Sequence, residues 1–255
     1  MSVEAEARSG DESFVRFATS QRLEHALLLI SFSILGFTGL IQKFNQVSLA
    51  ENLIFALGGI ETVRLIHRTL ALILTIECVY HAVSLAYQFL TKRSRPTMLP
   101  TPRDIVDAWQ MVLYFLGRRK ERPLFDHFDF RQKFEYWAMV WGTIVMAVTG
   151  FAMWFPIQTT AFLSGEVIPA AKAAHGAEAI LAVLSIFIWH MYHAHLAAEV
   201  FPADKSIFMG KISEERMLHE HPLEYARIMQ ERKNALLAQA AAVTEEASGD
   251  TPPKA

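Results

Sequence analysis

The chain has 255 residues, 52% of them hydrophobic, and a formal net charge of -2. This charge predicts no polyanionic partner, so nucleic-acid binding is not expected. Cys78 is the single cysteine, which excludes a disulfide framework, and no Cys-x-x-Cys-His motif occurs for covalent attachment of a c-type haem. The apolar residues are gathered into long runs, a pattern typical of membrane proteins.

Four segments approach or exceed the roughly 20 apolar residues that span a bilayer. They are residues 23–42, 65–90, 134–156 and 176–200. The N-terminal segment is acidic and has no apolar core, so it is not a cleavable signal. These features predict an all-α integral membrane four-helix bundle. The predicted divisions are a polar segment (1–20), the membrane domain (21–203), a cytoplasmic helical extension (204–234) and a disordered tail (235–255).

Basic residues indicate the orientation of the spans. Ten Lys or Arg lie between residues 91 and 133, none lies between 158 and 169, and only Lys43 lies in the connection between spans one and two. The positive-inside rule therefore places the long connection and both termini in the cytoplasm of a bacterial-type inner membrane. Within that connection, DIVDAWQMVLYFLGRR has helical spacing and predicts an amphipathic helix on the membrane surface. Packing of this helix on a partner subunit is the alternative.

The histidines of the spans fall into two layers. With the N-terminus inside, His67 and His175 begin spans two and four near the outer face. His25, His81 and His190 lie near the cytoplasmic face. The spacing is fifteen residues in span four and fourteen in span two, which corresponds to roughly 22 Å and 21 Å along a helix.

Two layers of imidazoles predict two stacked metal sites. Imidazole is a good axial ligand for haem iron, and a haem macrocycle is apolar enough to lie between membrane helices. A zinc site would need three or four ligands at one depth. Four residues are predicted as haem ligands: His25, His67, His175 and His190. For His81, haem ligation and a hydrogen bond within the bundle are equally favoured.

Charged residues beside the histidines are further candidates. Arg64 and Arg68 flank His67 and could pair with haem propionates or anchor the helix at the interface. Glu77 and Glu178 each lie within one helical turn of a histidine. Either carboxylate could orient an imidazole, carry protons or hydrogen-bond to a neighbouring span.

Small residues near the end of span one, Gly36, Thr38 and Gly39, allow a helix or a flat ligand to come close. At the end of span four, His193 and His195 are predicted to be interfacial residues, propionate partners or part of a quinone pocket.

Several motifs together resemble those of a known family, the membrane cytochrome b subunits of respiratory formate dehydrogenases and nickel-iron hydrogenases. Span one opens with RLEH, ending at His25, and span two begins with Ile-His at His67. The segment DFRQK, residues 129–133, is similar to an Asn-Phe-Gly-Gln-Lys motif and leads into span three, which has a similar ending, TGFAMWFP. WHMY in span four and HEHP after it complete a resemblance that covers residues 20 to about 230.

The resemblance implies two b-type haems in a four-span bundle. One would be held by His67 and His175 near the outside, and the other by His25 and His190 near the cytoplasm. His81, which the relatives do not require, is an alternative partner for His190 because of its depth, although we favour His25. A third haem in the inner layer is a further alternative.

The resemblance also implies quinone reduction beside the cytoplasmic haem. The relatives' quinone-binding motif points to Asp129 and Gln132, although Asp replaces the family's Asn and Arg131 replaces its Gly.

These observations favour an electron-transfer subunit that joins the quinone pool to a redox partner on the outer side of the membrane. The sequence contains no nicotinamide, flavin or iron–sulfur motif, so a catalytic, cytochrome c or iron–sulfur subunit would handle the substrate. One alternative is a stand-alone transmembrane reductase for an external acceptor. Another is a non-haem scaffold or transporter whose histidines bind a metal or protons.

Overall fold

The computed structural model describes residues 12–91 and 96–249. The predictions for residues 1–11, for the basic residues within 92–95 and for the tail at 250–255 therefore lie outside the described residues. The elements in chain order are β1 (Ser13–Val15), α1 (Thr19–Lys43), α2 (Ser48–Ala56), α3 (Ile60–Thr91), α4 (Pro102–Phe115), α5 (Phe130–Trp154), α6 (Pro156–Phe162), α7 (Val167–Leu196), α8 (Ser206–Met209), β2 (Lys211–Ser213), α9 (Glu214–Glu220) and α10 (Pro222–Gly249).

Helices α1, α3, α5 and α7 are long and apolar enough to cross a membrane. No more than 17% of the most apolar stretch of any of them is buried within the protein. Their large apolar side chains, such as Leu29 and Phe187, instead point away from the protein, where lipid would surround them. This arrangement confirms the predicted all-α integral membrane bundle.

The four spanning helices begin before the apolar runs that predict them. Span four begins at Val167 rather than at residue 176, and span one begins at Thr19. At the start of α1 the Gln21 side chain accepts a hydrogen bond from the backbone N–H of Ala18 at 2.8 Å. Polar first turns of this kind satisfy exposed backbone groups, so they lengthen a helix without lengthening its apolar run.

The chain divides into two compact units. The membrane unit comprises Val15–Pro96 and Phe134–Lys211. Within it, α2 packs against α1 and α3 through a small core of Ile41, Ala50 and Val63. The turn from α2 into α3 has positive φ at two consecutive residues, Gly58 and Gly59. Glycine adopts this conformation without steric cost.

The second compact unit, which we call the polar unit, comprises among the described residues 12–14, Thr97–Lys133 and 212–249. Its core contains Phe14, Ile212 and Met217, with Tyr225 packed against them. Among its elements, α4 is the amphipathic helix predicted between spans two and three. It exposes an apolar face that includes Ile105, Trp109 and Phe115. The C-terminal helix, α10, is also as predicted.

The end of α10 differs from the sequence prediction. The sequence predicts disorder from residue 235, whereas the helix continues to Gly249. Residues 235–242 are Ala, Leu and Gln, which are all strong helix formers. Helix propensity in this stretch accounts for the longer helix.

Candidate metal centres

Four histidines of the spans come together as two pairs. The ring centres of His67 in α3 and His175 in α7 are 6.4 Å apart. Those of His25 in α1 and His190 in α7 are 6.3 Å apart. A metal lies about 2 Å from an imidazole nitrogen, itself about 1.1 Å from its ring centre, so rings that share a metal are about 6 Å apart. Both pairs fit bis-imidazole coordination, and we refer to them as the His67 end and the His190 end of the bundle.

At the His67 end, hydrogen bonding fixes which nitrogen of His67 is free. The Thr38 hydroxyl donates to the carbonyl of Ile34 at 2.7 Å. Its oxygen is then the acceptor for the Nδ1–H of His67, 2.9 Å away. This tautomer leaves the Nε2 lone pair available to a metal.

The same arrangement holds the other ring of this pair. The Thr149 hydroxyl in α5 donates to the carbonyl of Val145 at 2.5 Å and accepts from the Nδ1–H of His175 at 2.9 Å. Both rings at the His67 end therefore present Nε2 as the metal-binding atom, with a neutral hydroxyl behind Nδ1.

A glycine follows each of these threonines and makes room for the ring. A Cβ at Gly39 would lie 3.4 Å from Cε1 of His67, and a Cβ at Gly150 would lie 3.3 Å from Cε1 of His175. Larger residues would therefore displace the imidazoles. The prediction that small residues in span one admit a close approach identified Gly39, but Gly150 was not recognised.

At the His190 end the partner of Nδ1 is a carboxylate. His190 donates from Nδ1 to Glu135 in α5, and its ring faces His25. His81 lies elsewhere: its Nδ1 donates to Glu24 at 2.6 Å, and its Nε2 accepts from the hydroxyl of Tyr136 at 3.1 Å. Of the two candidate partners for His190, the structure thus brings His25 opposite it.

Of the roles left open for Glu77 and Glu178, the structure does not show the orientation of a histidine. Among the described residues, neither Glu77 nor Glu178 forms a hydrogen bond with a histidine. Glu77 is buried, and Glu178 lies against Gly142, where a Cβ would be 2.6 Å from its Oε1. Glu24 and Glu135 take this role instead, reaching across from neighbouring helices. Proximity within one helix was therefore the wrong criterion.

The two predicted arginines lie at the His67 end. Both line a pocket of about 440 Å³ beside α3. The guanidinium of Arg68 lies over the Trp154 ring, 5.4 Å from its centre, and Arg64 bonds to Glu61 at 2.5 Å. Arg68 therefore places a positive charge at the His67 end of the bundle.

A third cation at this end was not predicted. The Nζ of Lys43 lies over Gly176, where a Cβ would be only 2.7 Å away. Gly176 directly follows His175, so Lys43 places a positive charge at the His67 end of the bundle.

The candidate quinone residues have structural partners. Asp129 and Gln132 cap the first turn of α5: Gln132 N–H donates to Asp129 Oδ1 at 2.9 Å, and Asp129 N–H donates to Gln132 Oε1 at 3.1 Å. This reciprocal pattern is a capping box. Arg131 also bonds to Asp129, at 2.6 Å.

Helix α7 changes its hydrogen-bonding pattern at the second histidine. After a regular α-helix over Val167–Ser185, it forms π-helical turns over Ile186–His190 and Tyr192–Leu196. Such wide turns are rare and occur frequently at functional sites. In the second turn His193 donates from Nδ1 to the carbonyl of Trp189 at 2.9 Å.

Comparison with curated proteins finds no match. A family model described as prokaryotic cytochrome b561 matches residues 16–203, a range that contains all four spans and both histidine pairs. The match agrees with the resemblance to respiratory membrane cytochromes b. It favours a haem protein over a non-haem scaffold. The chain therefore belongs to the prokaryotic cytochrome b561 family and is a membrane b-type haem cytochrome involved in electron transfer.

Proposed function

We propose that the chain binds two b-type haems and carries electrons between a redox partner at one face of the membrane and the quinone pool. The proposal rests on the two histidine pairs, in each of which the rings lie at a separation that a shared metal would give. When bound, haem supplies a one-electron carrier at each end of the bundle.

The donor set favours electron transfer over oxygen chemistry. At the His67 end, hydrogen bonds to Thr38 and Thr149 leave one Nε2 on each side of the metal position. His67 and His175 would together hold a haem, and with two imidazole donors it would supply electron transfer rather than a site for a substrate. The histidines hold the redox centre, and the threonines fix their orientation.

Positive charge at the His67 end suits the carboxylates of a haem. Lys43 lies over Gly176, the residue after His175, and Arg68 lies over the Trp154 ring. Arginine and lysine both pair with carboxylates, so these cations would bind the propionates of a haem held at this end. We assign Lys43, Arg68 and Arg64 to this role.

The assignments of the redox partner and of the quinone site rest on the family resemblance and on the distribution of basic residues. The positive-inside rule places the His67 end outside and the His190 end at the cytoplasmic face. The redox partner, a catalytic, cytochrome c or iron–sulfur subunit, then meets the His67 end. Quinone binds near the start of α5, where Asp129 and Gln132 correspond to the family's quinone motif.

Haem content of the purified full-length chain tests the assignment. We expect two haems per chain by pyridine haemochrome assay. Four single substitutions to alanine should each leave one haem: H25A, H67A, H175A and H190A. The control is His81→Ala, which should keep two. Three haems in the unsubstituted protein, or loss of a haem from His81→Ala while His25→Ala keeps both, would contradict the assignment.

A second experiment tests the quinone role of Gln132. Both Gln132→Ala and the matched control Gln21→Ala remove a helix-capping side chain, from α5 and α1 respectively. Each should cost about 1 kcal/mol of stability. Only Gln132→Ala should slow haem reduction by an added quinol in membrane vesicles. Equal rates in the two variants would argue against quinone binding at this position.

A further inference from the structure

The membrane unit contains an internal repeat. Two dipeptides of α1 recur in α5 with the same separation of 111 positions: Glu24-His25 as Glu135-Tyr136, and Thr38-Gly39 as Thr149-Gly150. The side-chain contacts recur with them. Each threonine accepts from the Nδ1 of the first histidine in the following span, at 2.9 Å in both cases. Each glutamate accepts from the Nδ1 of the second histidine of that span.

One substitution distinguishes the two copies. His25 of the first copy corresponds to Tyr136 of the second. His190 faces His25 at metal-bridging distance, whereas His81 accepts a hydrogen bond from Tyr136 at 3.1 Å, which leaves no room for a metal. The repeat thus yields two equivalent glutamate–histidine pairs, and only Glu135–His190 belongs to a metal pair.

The repeat also shows that the two metal pairs have different groups behind their ligands. At the His67 end both Nδ1 atoms donate to neutral hydroxyls. At the His190 end, His190 donates to the carboxylate of Glu135. A carboxylate partner makes an imidazole a stronger electron donor than a hydroxyl does, and stronger donation favours ferric over ferrous iron.

We propose that Glu135 is a positioning residue that lowers the reduction potential of the haem at the His190 end relative to the haem at the His67 end. The inference rests on the proposed haem ligation. The cations at the other end widen this difference. Lys43 and Arg68 favour the ferrous state at the His67 end and so raise the reduction potential there. The chain thereby holds its two carriers at different potentials.

Glu24 provides a matched control for charge alone. Its side chain is 19% exposed and that of Glu135 is 28% exposed, and each is bonded to a histidine in the same half of the bundle. Glu24 acts on His81, which holds no metal, whereas Glu135 acts on a ligand. Loss of a negative charge alone would shift the haem potentials in both Glu24→Gln and Glu135→Gln. An effect that acts through the ligand His190 would appear only in Glu135→Gln.

Spectroelectrochemical titration of the purified chain tests the proposal. In Glu135→Gln we expect two haems per chain, an upward shift of the lower midpoint potential and no change in the upper one. In Glu24→Gln we expect neither midpoint to move, and Glu135→Asp should restore the lower value. An unchanged lower midpoint in Glu135→Gln overturns the proposal. So does an equal shift of both midpoints, or the same shift in Glu24→Gln.

A measurement on the unsubstituted protein decides the matter if Glu135→Gln loses its haem. Electron paramagnetic resonance of the ferric protein should give two low-spin signals, and His190→Ala identifies the one from the His190 end by its disappearance. That signal should correspond to stronger electron donation by the ligands than the signal from the His67 end does. Equal or weaker donation at the His190 end overturns the proposal. Absence of haem from the unsubstituted chain would instead contradict the proposed function itself.

Discussion

The imidazole of His190 faces that of His25 at 6.3 Å. It does so although His190 follows His175 by fifteen residues, one more than the spacing of the two histidines in α3. In a regular α-helix one extra residue turns a side chain by about 100°. The wide turn over Ile186–His190 takes up that residue, because the Met191 N–H bonds to the carbonyl five residues earlier. The π-helical turn therefore sets the direction of the ligand.

Deletion of Ile188 tests this role of the turn. Its side chain is 69% exposed, so little packing is lost. We expect the shortened segment to form a regular α-helix that still directs His190 at His25, and the protein to keep two haems per chain. An alanine inserted after Ile188 should instead rotate the ligand by about 100° and remove one haem. One haem in the deletion variant, or two in the insertion variant, would contradict the role.

Much of the fold follows from local sequence. Runs of apolar residues predict the four spans because a bilayer requires about 20 such residues in each helix. Histidine positions along those runs give the two layers, since depth depends only on the distance from the helix end. The His67–His175 pair could be expected from depth alone.

Contacts between helices could not be obtained in the same way. Depth favours His81 over His25 as the partner of His190, but both lie in the same layer and rotation about the helix axis decides which one faces it. The carboxylates behind the imidazoles, Glu24 and Glu135, come from neighbouring helices, so a search within one helical turn missed them. The sequence signal for these carboxylates was the recurrence of Glu24-His25 of α1 as Glu135-Tyr136 in α5.

Substitution of Thr38 by valine tests the orientation of His67. Valine has nearly the same shape but cannot accept the Nδ1 hydrogen bond of 2.9 Å. Loss of such a partner typically weakens binding by about 10- to 100-fold, so we expect faster transfer of one haem to an acceptor protein. Thr75→Val is the control, because Thr75 bonds only within α3, to the carbonyl of Ala71. Equal transfer rates in the two variants would show that Thr38 does not support the ligand.

Valine at Gly150 tests whether the space beside His175 is required. A Cβ there would already lie 3.3 Å from Cε1 of the imidazole, and the valine methyl groups would push the ring aside. We expect the His67 end to lose its haem while the His190 end keeps its own. Gly165→Val is the matched control, since nothing lies within 4 Å of a Cβ at that position. Retention of two haems in Gly150→Val would refute the steric requirement.

Acid should weaken the polar unit through Asp126. Burial raises the pKa of Asp126, but hydrogen bonds from Arg227 and the backbone of His127 outweigh this and hold the pKa below its ordinary value. A carboxyl whose pKa is lowered in the folded state stabilises that state at pH values above its unfolded pKa of about 3.9. This stabilisation is lost as the pH falls through the pKa of the folded state. Asp126→Asn should therefore destabilise α10 at pH 7 by about 0.2–1 kcal/mol, the range for exposed ion pairs, and its difference from the unsubstituted protein should shrink as pH falls below about 3.9. Hydrogen exchange at the amides of residues 223–230, corrected for intrinsic rates, measures this. Glu121→Gln, an exposed change in the same unit, is the control, and a difference from the unsubstituted protein that is as large at pH 3 as at pH 7 would contradict the assignment.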